Sequence, residues 1–226
     1  MLLSIEIQGK TQVDNLVDNL LKRWISVWVN HKIGVIVLAA GFANRMGKEK
    51  LLLSFRGKPL LSYALNLIEK LPVKEKIAVI GEPKQPLQSL CAQYHISSIY
   101  NKNRHLGQAS SIACGVSYLP QDLEAFLFVV GDQPFLTGKL VDKLINIWQT
   151  YKSSQIIIRP YFEGRGYHPV LFGADWREEL LSLTGDAGGR TLIQRHPECV
   201  VPVYWDNGDE FVDIDTLDDY AFWNQL

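Results

Sequence analysis

From Ile33 onward the chain alternates short apolar runs with segments whose apolar residues recur every three or four positions. Uninterrupted apolar runs are typical of strands covered on both faces, and amphipathic segments between them are typical of helices that connect parallel strands. The pattern predicts strands over 33–41, 76–81, 97–100 and 125–132, and helices over 59–70, 85–94, 108–118 and 138–151. These elements indicate an α/β fold with a doubly wound, mostly parallel sheet.

The second half of the chain is less regular, and its apolar runs lie closer together. We predict strands over 155–160, 167–172, 199–205 and 210–216, with helices over 175–183, from 185–190 onward and from Leu217 to the end. Short connections between strands favour antiparallel pairing. No linker separates this half from the first, so we expect some antiparallel strands within the same domain.

The segment before the first strand predicts one amphipathic helix, because apolar residues between positions 12 and 29 recur at helical spacing. Its polar face lacks the Lys/Arg cluster typical of membrane-surface helices. We therefore favour packing on its own domain or on a second copy over binding to a membrane or another partner. The expected organisation is a helical extension over 1–32 and one domain over 33–226.

Composition narrows the function classes. The 226 residues carry a formal net charge of −1, which favours no nucleic-acid partner. Three cysteines without a C-x-x-C pair predict neither a disulfide framework nor a zinc site, as expected in a reducing cytoplasm. The chain shows no secretory signal and no apolar run of membrane-spanning length. We expect a cytoplasmic protein without a membrane partner.

The loop after the first strand combines small residues with positive charge. The strand ends at Ala39, Ala40 and Gly41, and Arg45 and Lys50 follow. Ligands of doubly wound sheets bind at the carboxyl ends of strands, and small residues let the backbone approach them. The loop matches neither G-x-x-x-x-G-K-[ST] nor G-x-G-x-x-G. It predicts a polyphosphate site, with a solvated basic turn as the alternative.

Two distant carboxylates are candidates for a cation site. Asp132 ends the run over 125–132, and Pro134 prevents the strand from continuing. Asp213 and Asp215 alternate, which puts them on one face of the predicted last strand. Magnesium in nucleotide sites uses one or two carboxylates together with phosphate oxygens. We assign the metal role to Asp132 and Asp215, and helix capping to Thr216.

Small and hydroxyl residues also open the helix over 108–118. Gly107, Ser110 and Ser111 are suited to contact a nucleobase edge or a ribose. The alternative is that Ser110 caps the helix.

These motifs together resemble one known family. The loop reads G-x-x-x-R-M-G-x-x-K-L-L, the first acidic motif G-D-Q-P and the second D-I-D-T-L-D-D. In this order they resemble the MobA-like NTP transferases, which include molybdenum-cofactor cytidylyl- and guanylyltransferases. The resemblance covers roughly 33–220 and implies a Rossmann-like nucleotidyltransferase fold. Three positions depart from the family pattern: Ala43 replaces serine, Tyr167 replaces glycine and Leu217 replaces proline.

The resemblance implies a role for each motif. The residues expected to bind the nucleotide are Leu38, Ala39, Ala40, Gly41, Arg45, Lys50, Gly107, Ser110 and Ser111. Arg45, Lys50 and Asp132 are expected to be catalytic, and Mg²⁺ is expected on Asp132 and Asp215. His168, in a segment that borders the second substrate in the family, is expected to bind the acceptor.

The implied reaction transfers a nucleoside monophosphate from an NTP to an acceptor phosphate and releases pyrophosphate. The residues "LAAG" and "GDQP" favour CTP as donor and molybdopterin or the molybdenum cofactor as acceptor, with a molybdoenzyme or its chaperone as a further partner. One alternative is a transferase of the same fold that uses GTP, or a sugar or other small phosphate. Another is a non-catalytic protein that binds and delivers a nucleotide or cofactor and docks through its N-terminal helix.

Overall fold

The computed structural model describes residues 31–41 and 49–225. The N-terminal helix predicted over 12–29 lies outside this part of the chain, as do Ala43 and Arg45. The division into an extension over 1–32 and a domain over 33–226 therefore stays a prediction. In the described part, no helix is long and apolar enough to cross a membrane.

Most of the described strands form a single mixed sheet. The strands are β1 (His31–Ala39), β2 (Ser54–Phe55), β3 (Lys58–Pro59), β4 (Val73–Ile80), β5 (Ser97–Tyr100), β6 (Ala125–Val130), β7 (Ile157–Phe162), β8 (Arg165–Gly166), β9 (Val170–Gly173) and β10 (Val200–Tyr204). The main sheet has the order β10-β7-β9-β6-β1-β4-β5, and β8 pairs with β7. The strands β2 and β3 form a separate hairpin.

Strand direction divides the sheet. The pairs β1–β4, β1–β6, β4–β5 and β7–β10 are parallel, whereas β9 runs antiparallel to both β6 and β7. Leu38, near the end of β1, lies beside Val79 of β4 and Val130 of β6. The three central strands therefore end together and open one shared cleft at their carboxyl ends.

Helices cover both faces of the sheet. They are α1 (Leu61–Glu69), α2 (Lys84–Gln93), α3 (Gln108–Tyr118), α4 (Gly138–Tyr151), α5 (Arg177–Ser182), α6 (Arg190–Arg195) and α7 (Leu217–Gln225). Val35 and Val37 of β1 are buried with α1, α2 and α4, while Ile36 and Leu38 are buried with α3, α5 and α6. Since successive residues of a strand point to opposite faces, this double burial explains why β1 has no polar position from Ile33 onward.

The fold confirms the predicted α/β class and most predicted elements, but the strand predicted over 210–216 is wrong. A 3₁₀-helix occupies Gly208–Phe211, and the residues that follow, up to the start of α7, belong to no strand. The reason is a tertiary contact: Ile214 N–H donates to the carbonyl oxygen of Asp132 at 3.1 Å. This segment therefore runs beside the loop after β6 and does not extend the sheet.

Candidate active site

A cleft at the carboxyl ends of β1, β4 and β6 holds most of the residues singled out for the nucleotide. Its volume is about 360 Å³. We call it the first cleft, and its lining includes Leu38, Ala39, Ala40, Gly41, Lys50, Glu82, Arg104, Gly107, Gln108, Ser111, Asp132, Asp186 and Asp215. Arg45 lies outside the described residues, so its predicted role stays a prediction.

Lys50 lies between the two carboxylates predicted to bind metal. Its Nζ is 2.7 Å from Asp132 Oδ2 and 2.8 Å from Asp215 Oδ1. Burial of the ammonium lowers the pKa of Lys50, but the negative charges and hydrogen bonds of Asp132 and Asp215 outweigh that effect and leave the pKa raised. Lys50 is therefore a permanently charged cation within an acidic cluster.

Two backbone features bring the acidic residues together. Asp132 follows β6 directly after Gly131, where a Cβ would lie 2.8 Å from the Leu61 side chain of α1. On the other segment, the hydrogen bond from Ile214 N–H to Asp132 places Asp213 and Asp215 on either side of the contact. Acidic residues from two distant parts of the chain thus form one cluster, because the loop after β6 and the segment around Ile214 share a backbone hydrogen bond.

Asp213 is a member of this cluster to which sequence reasoning assigned no metal role. Burial raises its pKa to about 7, and the charges of Asp132 and Asp215 add to the increase, while a hydrogen bond from Gln133 opposes it. The alternation with Asp215 was the available signal. It could not show that Asp213 faces the charges of both Asp132 and Asp215, because these groups meet only in the folded chain.

The start of α7 fixes the backbone of Asp215. Thr216 Oγ1 accepts a hydrogen bond from Asp219 N–H at 3.1 Å, and Asp219 Oδ2 accepts from Thr216 N–H at 2.8 Å. This reciprocal pair is a capping box, so Thr216 caps the helix as predicted. Asp219 Oδ2 also accepts from Asp215 N–H at 3.2 Å. The cap is complete although Leu217 stands where the family has proline.

The two serines near the start of α3, Ser110 and Ser111, line different depressions. Asn101 Nδ2 donates to Ser110 Oγ at 2.9 Å and to Ser111 Oγ at 3.1 Å. Ser111 lines the first cleft, whereas Ser110 lines a different depression, and its hydroxyl donates to the carbonyl of Gly107. Gly107 occupies the N-cap position, so capping by Ser110 was the wrong alternative.

His168 lies in a second cavity of about 730 Å³ beside the first cleft. Burial lowers the pKa of His168 to about 4, and the nearby charge of Arg159 lowers it further, so the ring is neutral at physiological pH. We call this the second cavity, and its lining includes Gln108, Ile112, Phe128, Gln133, Arg159, Arg165, His168, Val170, Phe172, Asp186, Arg190, Ile193 and Asp213. Gln108 and Asp186 line both spaces, which are therefore neighbours.

The described ranges contain no group of three or more His, Cys, Asp and Glu side chains arranged to hold a metal ion. Asp132 and Asp215 instead share the Lys50 ammonium. The structure therefore places a positive charge between two carboxylates, beside the small residues Ala39, Ala40 and Gly41 that line the first cleft.

Comparisons with solved structures agree with this architecture. Rv0371c from Mycobacterium tuberculosis H37Rv superposes with a TM-score of 0.73 at 22% identity, over 87% of this chain and 98% of that one. Its manganese complex gives 0.68. Molybdopterin-guanine dinucleotide biosynthesis protein A from Archaeoglobus fulgidus gives 0.61 at 18% identity, over 85% of this chain and 97% of the other. The fold is that of the α/β nucleotidyltransferases.

Sequence comparison identifies the family. The MobA-like NTP transferase domain matches residues 35–200, and the chain belongs to this family. The matched range ends before Asp213 and Asp215. A curated relative, "Bifunctional protein GlmU" of Mycobacterium ulcerans, is 29% identical over 146 residues. These residues cover 61% of this chain but 30% of the relative, so the chain spans about a third of that protein's length.

Proposed function

We propose that this protein is a divalent-cation-dependent nucleotidyltransferase that transfers CMP from CTP to the phosphate of molybdopterin or the molybdenum cofactor. The observation that carries the proposal is the ammonium of Lys50, held by Asp132 and Asp215 at the mouth of the first cleft. Two carboxylates and a lysine beside a small-residue loop form the donor set that a metal–triphosphate complex requires.

The two aspartates suit a hard divalent cation. Lys50 Nζ lies within 2.8 Å of a carboxylate oxygen of each residue, so it stands in for a cation that both carboxylates would share. Carboxylate oxygens supplemented by phosphate oxygens and water are the preferred ligands of Mg²⁺. When bound, the metal would neutralise charge on the phosphates. The manganese complex of Rv0371c supports a divalent cation, and Mg²⁺ is our proposed physiological ion.

The first cleft suits the nucleotide. Ala39, Ala40 and Gly41 line it without bulky side chains, so the backbone is accessible to phosphate oxygens. Gly107 and Ser111 line the same cleft, and we propose that they contact the base or ribose. Lys50 stays protonated, and this charge would stabilise the pyrophosphate that leaves. We propose the same role for Arg45, on the sequence motif alone.

The reaction needs no covalent intermediate. An oxygen of the acceptor phosphate attacks the α-phosphorus of the NTP and forms the new P–O bond. The bond from the α-phosphorus to the bridging oxygen breaks, and its electron pair leaves with pyrophosphate. Since an acceptor phosphate is already ionised at neutral pH, no general base is required, and positioning and charge stabilisation supply catalysis. The adjoining second cavity is our proposed acceptor site, with His168 on its wall.

We propose CTP because the motif LAAG at 38–41 resembles that of the cytidylyltransferases. The name of the Archaeoglobus fulgidus protein associates the same fold with a guanine dinucleotide, so GTP is the main competing donor. A sugar phosphate or other small phosphate is the competing acceptor.

One experiment separates these readings. The full chain is incubated with Mg²⁺, molybdopterin and each of the four NTPs in turn, and pyrophosphate release is measured. We expect release with CTP, and its loss in Asp132→Asn but not in Asp122→Asn, an exposed aspartate paired with Lys74. Release with GTP alone would identify a guanylyltransferase. NTP binding without release under any condition would instead support a delivery protein.

A further inference from the structure

We propose that Arg56 is a positioning residue for the acidic cluster around Lys50. Its side chain lies where three segments of the chain meet, and these segments carry Lys50, Asp132 and Asp215. Arg56 does not line the first cleft, so it acts through the residues that do. Without its guanidinium, Lys50 should be held less tightly between the two carboxylates. The effect on turnover rests on the proposed function, whereas the effect on Lys50 does not.

The first segment is the β2–β3 hairpin, to which Arg56 belongs. The 3₁₀-helix Lys50–Leu52 leads into this hairpin. After the hairpin, Leu60 N–H donates to the carbonyl oxygen of Leu53 at 2.9 Å and closes the segment on itself. The backbone that bears Lys50 is therefore tied to the hairpin, and the position of the hairpin determines where the ammonium can lie.

The second segment is the loop after β6. Phe135 follows Asp132 by three residues, and the guanidinium carbon of Arg56 lies 5.0 Å from the centroid of the Phe135 ring. The same carbon lies 5.6 Å from the ring centroid of Phe55, and the two rings pack edge to face. Aromatic faces attract a guanidinium group through the charge distribution of the ring. Arg56 therefore holds the hairpin against the loop that carries Asp132.

The third segment is α7, which begins two residues after Asp215. Arg56 Nε donates to the carbonyl oxygen of Trp223 at 3.0 Å, and Arg56 N–H donates to Asn224 Oδ1 at 2.6 Å. Carbonyl groups in the last turn of a helix have no partner within it, and a cation there is favourable. Arg56 thus holds one end of α7, while the capping box fixes the other end beside Asp215.

A small apolar cluster beneath Arg56 joins the same three segments. Phe55 of the hairpin and Ile214 of the acidic segment are fully buried in it, and Phe55 also packs on Tyr220 of α7. Tyr220 Oη donates to the carbonyl oxygen of Ser54 at 2.6 Å. Well-packed side chains cannot move independently, so the hairpin and the acidic segment keep a fixed spacing. The exposed side chain of Arg56 covers this cluster on its solvent side.

The test follows the reactivity of Lys50 in the full chain and requires no turnover. The Lys50 side chain is 13% exposed, so acetic anhydride should modify it slowly. In Arg56→Met, which keeps an apolar stem, we expect the acetylation rate of Lys50 to rise about threefold or more, as measured by mass spectrometry. Lys58→Met is the matched control: Lys58 lies in the same hairpin, and its ammonium lies 4.0 Å from the ring centroid of Tyr63, in α1.

A second lysine separates positioning from a general loss of stability. Lys76, in β4, donates to the carbonyl oxygen of Glu69 at 2.6 Å, and its acetylation rate should not change in Arg56→Met. Equal acceleration at Lys50 and Lys76 would overturn the inference, because it would show that Arg56 only stabilises the fold. An unchanged rate at Lys50 would overturn it as well.

The end of α7 offers a further pair of variants. Asn224→Ala removes the acceptor of Arg56 N–H and should raise the acetylation rate of Lys50 in the same direction as Arg56→Met. Its exposed neighbour, changed in Gln225→Ala, should have no effect. Equal Lys50 rates in Asn224→Ala and the wild type would contradict a role of α7 in holding the hairpin.

Turnover links the inference to the proposed function. Arg56→Met should lower kcat for pyrophosphate release with CTP about tenfold, because small displacements of charged groups slow the reaction strongly. Lys58→Met should leave kcat unchanged. If the wild type is active and Arg56→Met has the same kcat, Arg56 does not position the site. If the wild type releases no pyrophosphate with any NTP, the proposed function fails, and the acetylation rates of Lys50 and Lys76 still decide this inference.

Discussion

Ile214 N–H donates a hydrogen bond to the carbonyl oxygen of Asp132 at 3.1 Å, and this contact joins two segments that are distant in the chain. It lies between Asp213 and Asp215, so it sets the spacing of the acidic cluster around Lys50. Because the bond involves backbone atoms, side-chain substitutions at the three aspartates should leave the segment in place. Substitutions at these aspartates can therefore change the charge of the cluster while its backbone geometry is kept.

Replacing Lys50 should separate metal binding from catalysis. In Lys50→Met the carboxylates of Asp132 and Asp215 lose the ammonium that they share. A divalent cation then binds without displacing a lysine, so Mg²⁺ should raise the melting temperature of Lys50→Met more than that of the wild type. Turnover should fall at least 100-fold, because one positive charge at the phosphates is lost.

Thermal unfolding with and without Mg²⁺, together with pyrophosphate release, measures both effects. Lys70→Met changes an exposed lysine and serves as the control. A smaller Mg²⁺ response in Lys50→Met than in the wild type would contradict a shared cation position.

His168 should make the fold sensitive to acid. The folded-state pKa of about 4 lies below the ordinary value of 6.5, so the unfolded chain takes up a proton at a higher pH than the folded one. Stability contributed by the neutral ring is present above pH 6.5 and is lost as the pH falls to about 4. At 1.36 kcal/mol per pKa unit, the loss approaches roughly 3 kcal/mol.

Urea denaturation of the wild type and His168→Gln between pH 7 and pH 4.5 checks this expectation. Glutamine keeps a donor near the position of Nε2 and does not titrate, so its stability should depend less on pH. His105→Gln, at an exposed position, should behave as the wild type. Parallel pH profiles of the wild type and His168→Gln would show that the ring is not buried in its neutral form.

Glu210 should support the acidic cluster from a distance. It is 4% exposed; one carboxylate oxygen accepts from Thr137 N–H at 3.1 Å and from Thr137 Oγ1 at 2.7 Å, and the other accepts from Trp205 Nε1 at 3.0 Å. Glu210→Gln replaces one acceptor oxygen by an amide, which leaves a buried donor without an acceptor. The expected loss is about 1–3 kcal/mol of unfolding free energy.

The same substitution should also lower kcat, because Glu210 anchors the segment that carries Asp213 and Asp215. Chemical denaturation and initial rates measure the two effects, and Glu179→Gln on the surface of α5 is the control. If Glu210→Gln unfolded with the same free energy as the wild type, the hydrogen bonds of Glu210 to Thr137 and Trp205 would not be needed to hold this segment.

Gly107 should tolerate no side chain. Its φ of 94° and ψ of −178° lie in a region reserved for glycine, and a Cβ would be 2.3 Å from Asp186 Oδ1. Gly107→Ala should therefore lose about 2–6 kcal/mol of stability, from backbone strain and overpacking together, and most of its NTP binding. Gly164→Ala is a matched control, since φ is 76° but no atom lies within 4 Å of the added Cβ. Its loss should be about 1–2 kcal/mol, from backbone strain alone. Equal losses would rule out the clash.

The sequence predicts the central strands well where they are buried on both faces: β1 from Ile33, β4 from Ile77 and all of β6 are continuous apolar runs. It misses the start of β4 at Val73, because Lys74, Glu75 and Lys76 break the apolar pattern there. It fails at 210–216, where alternation mimics a strand although the segment pairs with a loop. Alternation of apolar and polar residues indicates which side chains are buried. It does not indicate which part of the chain forms backbone hydrogen bonds with the segment. Asp132 and Asp215 could be singled out by motif.

Arg159 and Arg190 could not be paired by any local pattern. One lies in β7 and the other in α6, and their shared charge arises only when the sheet folds. The same holds for Gln133, whose unpartnered oxygen depends on burial by distant residues. Sequence motifs thus locate the residues of the first cleft more readily than those of the second cavity.

The reversed direction of β9 gives the sheet an internal boundary. On one side β6, β1, β4 and β5 form a parallel block that carries the first cleft, and on the other β7 and β10 form a second parallel block. A single inverted strand thereby places the second cavity across this boundary, with Phe128 of β6 on one side and Arg159 of β7 on the other, while the strand residues that line the first cleft all belong to the larger block.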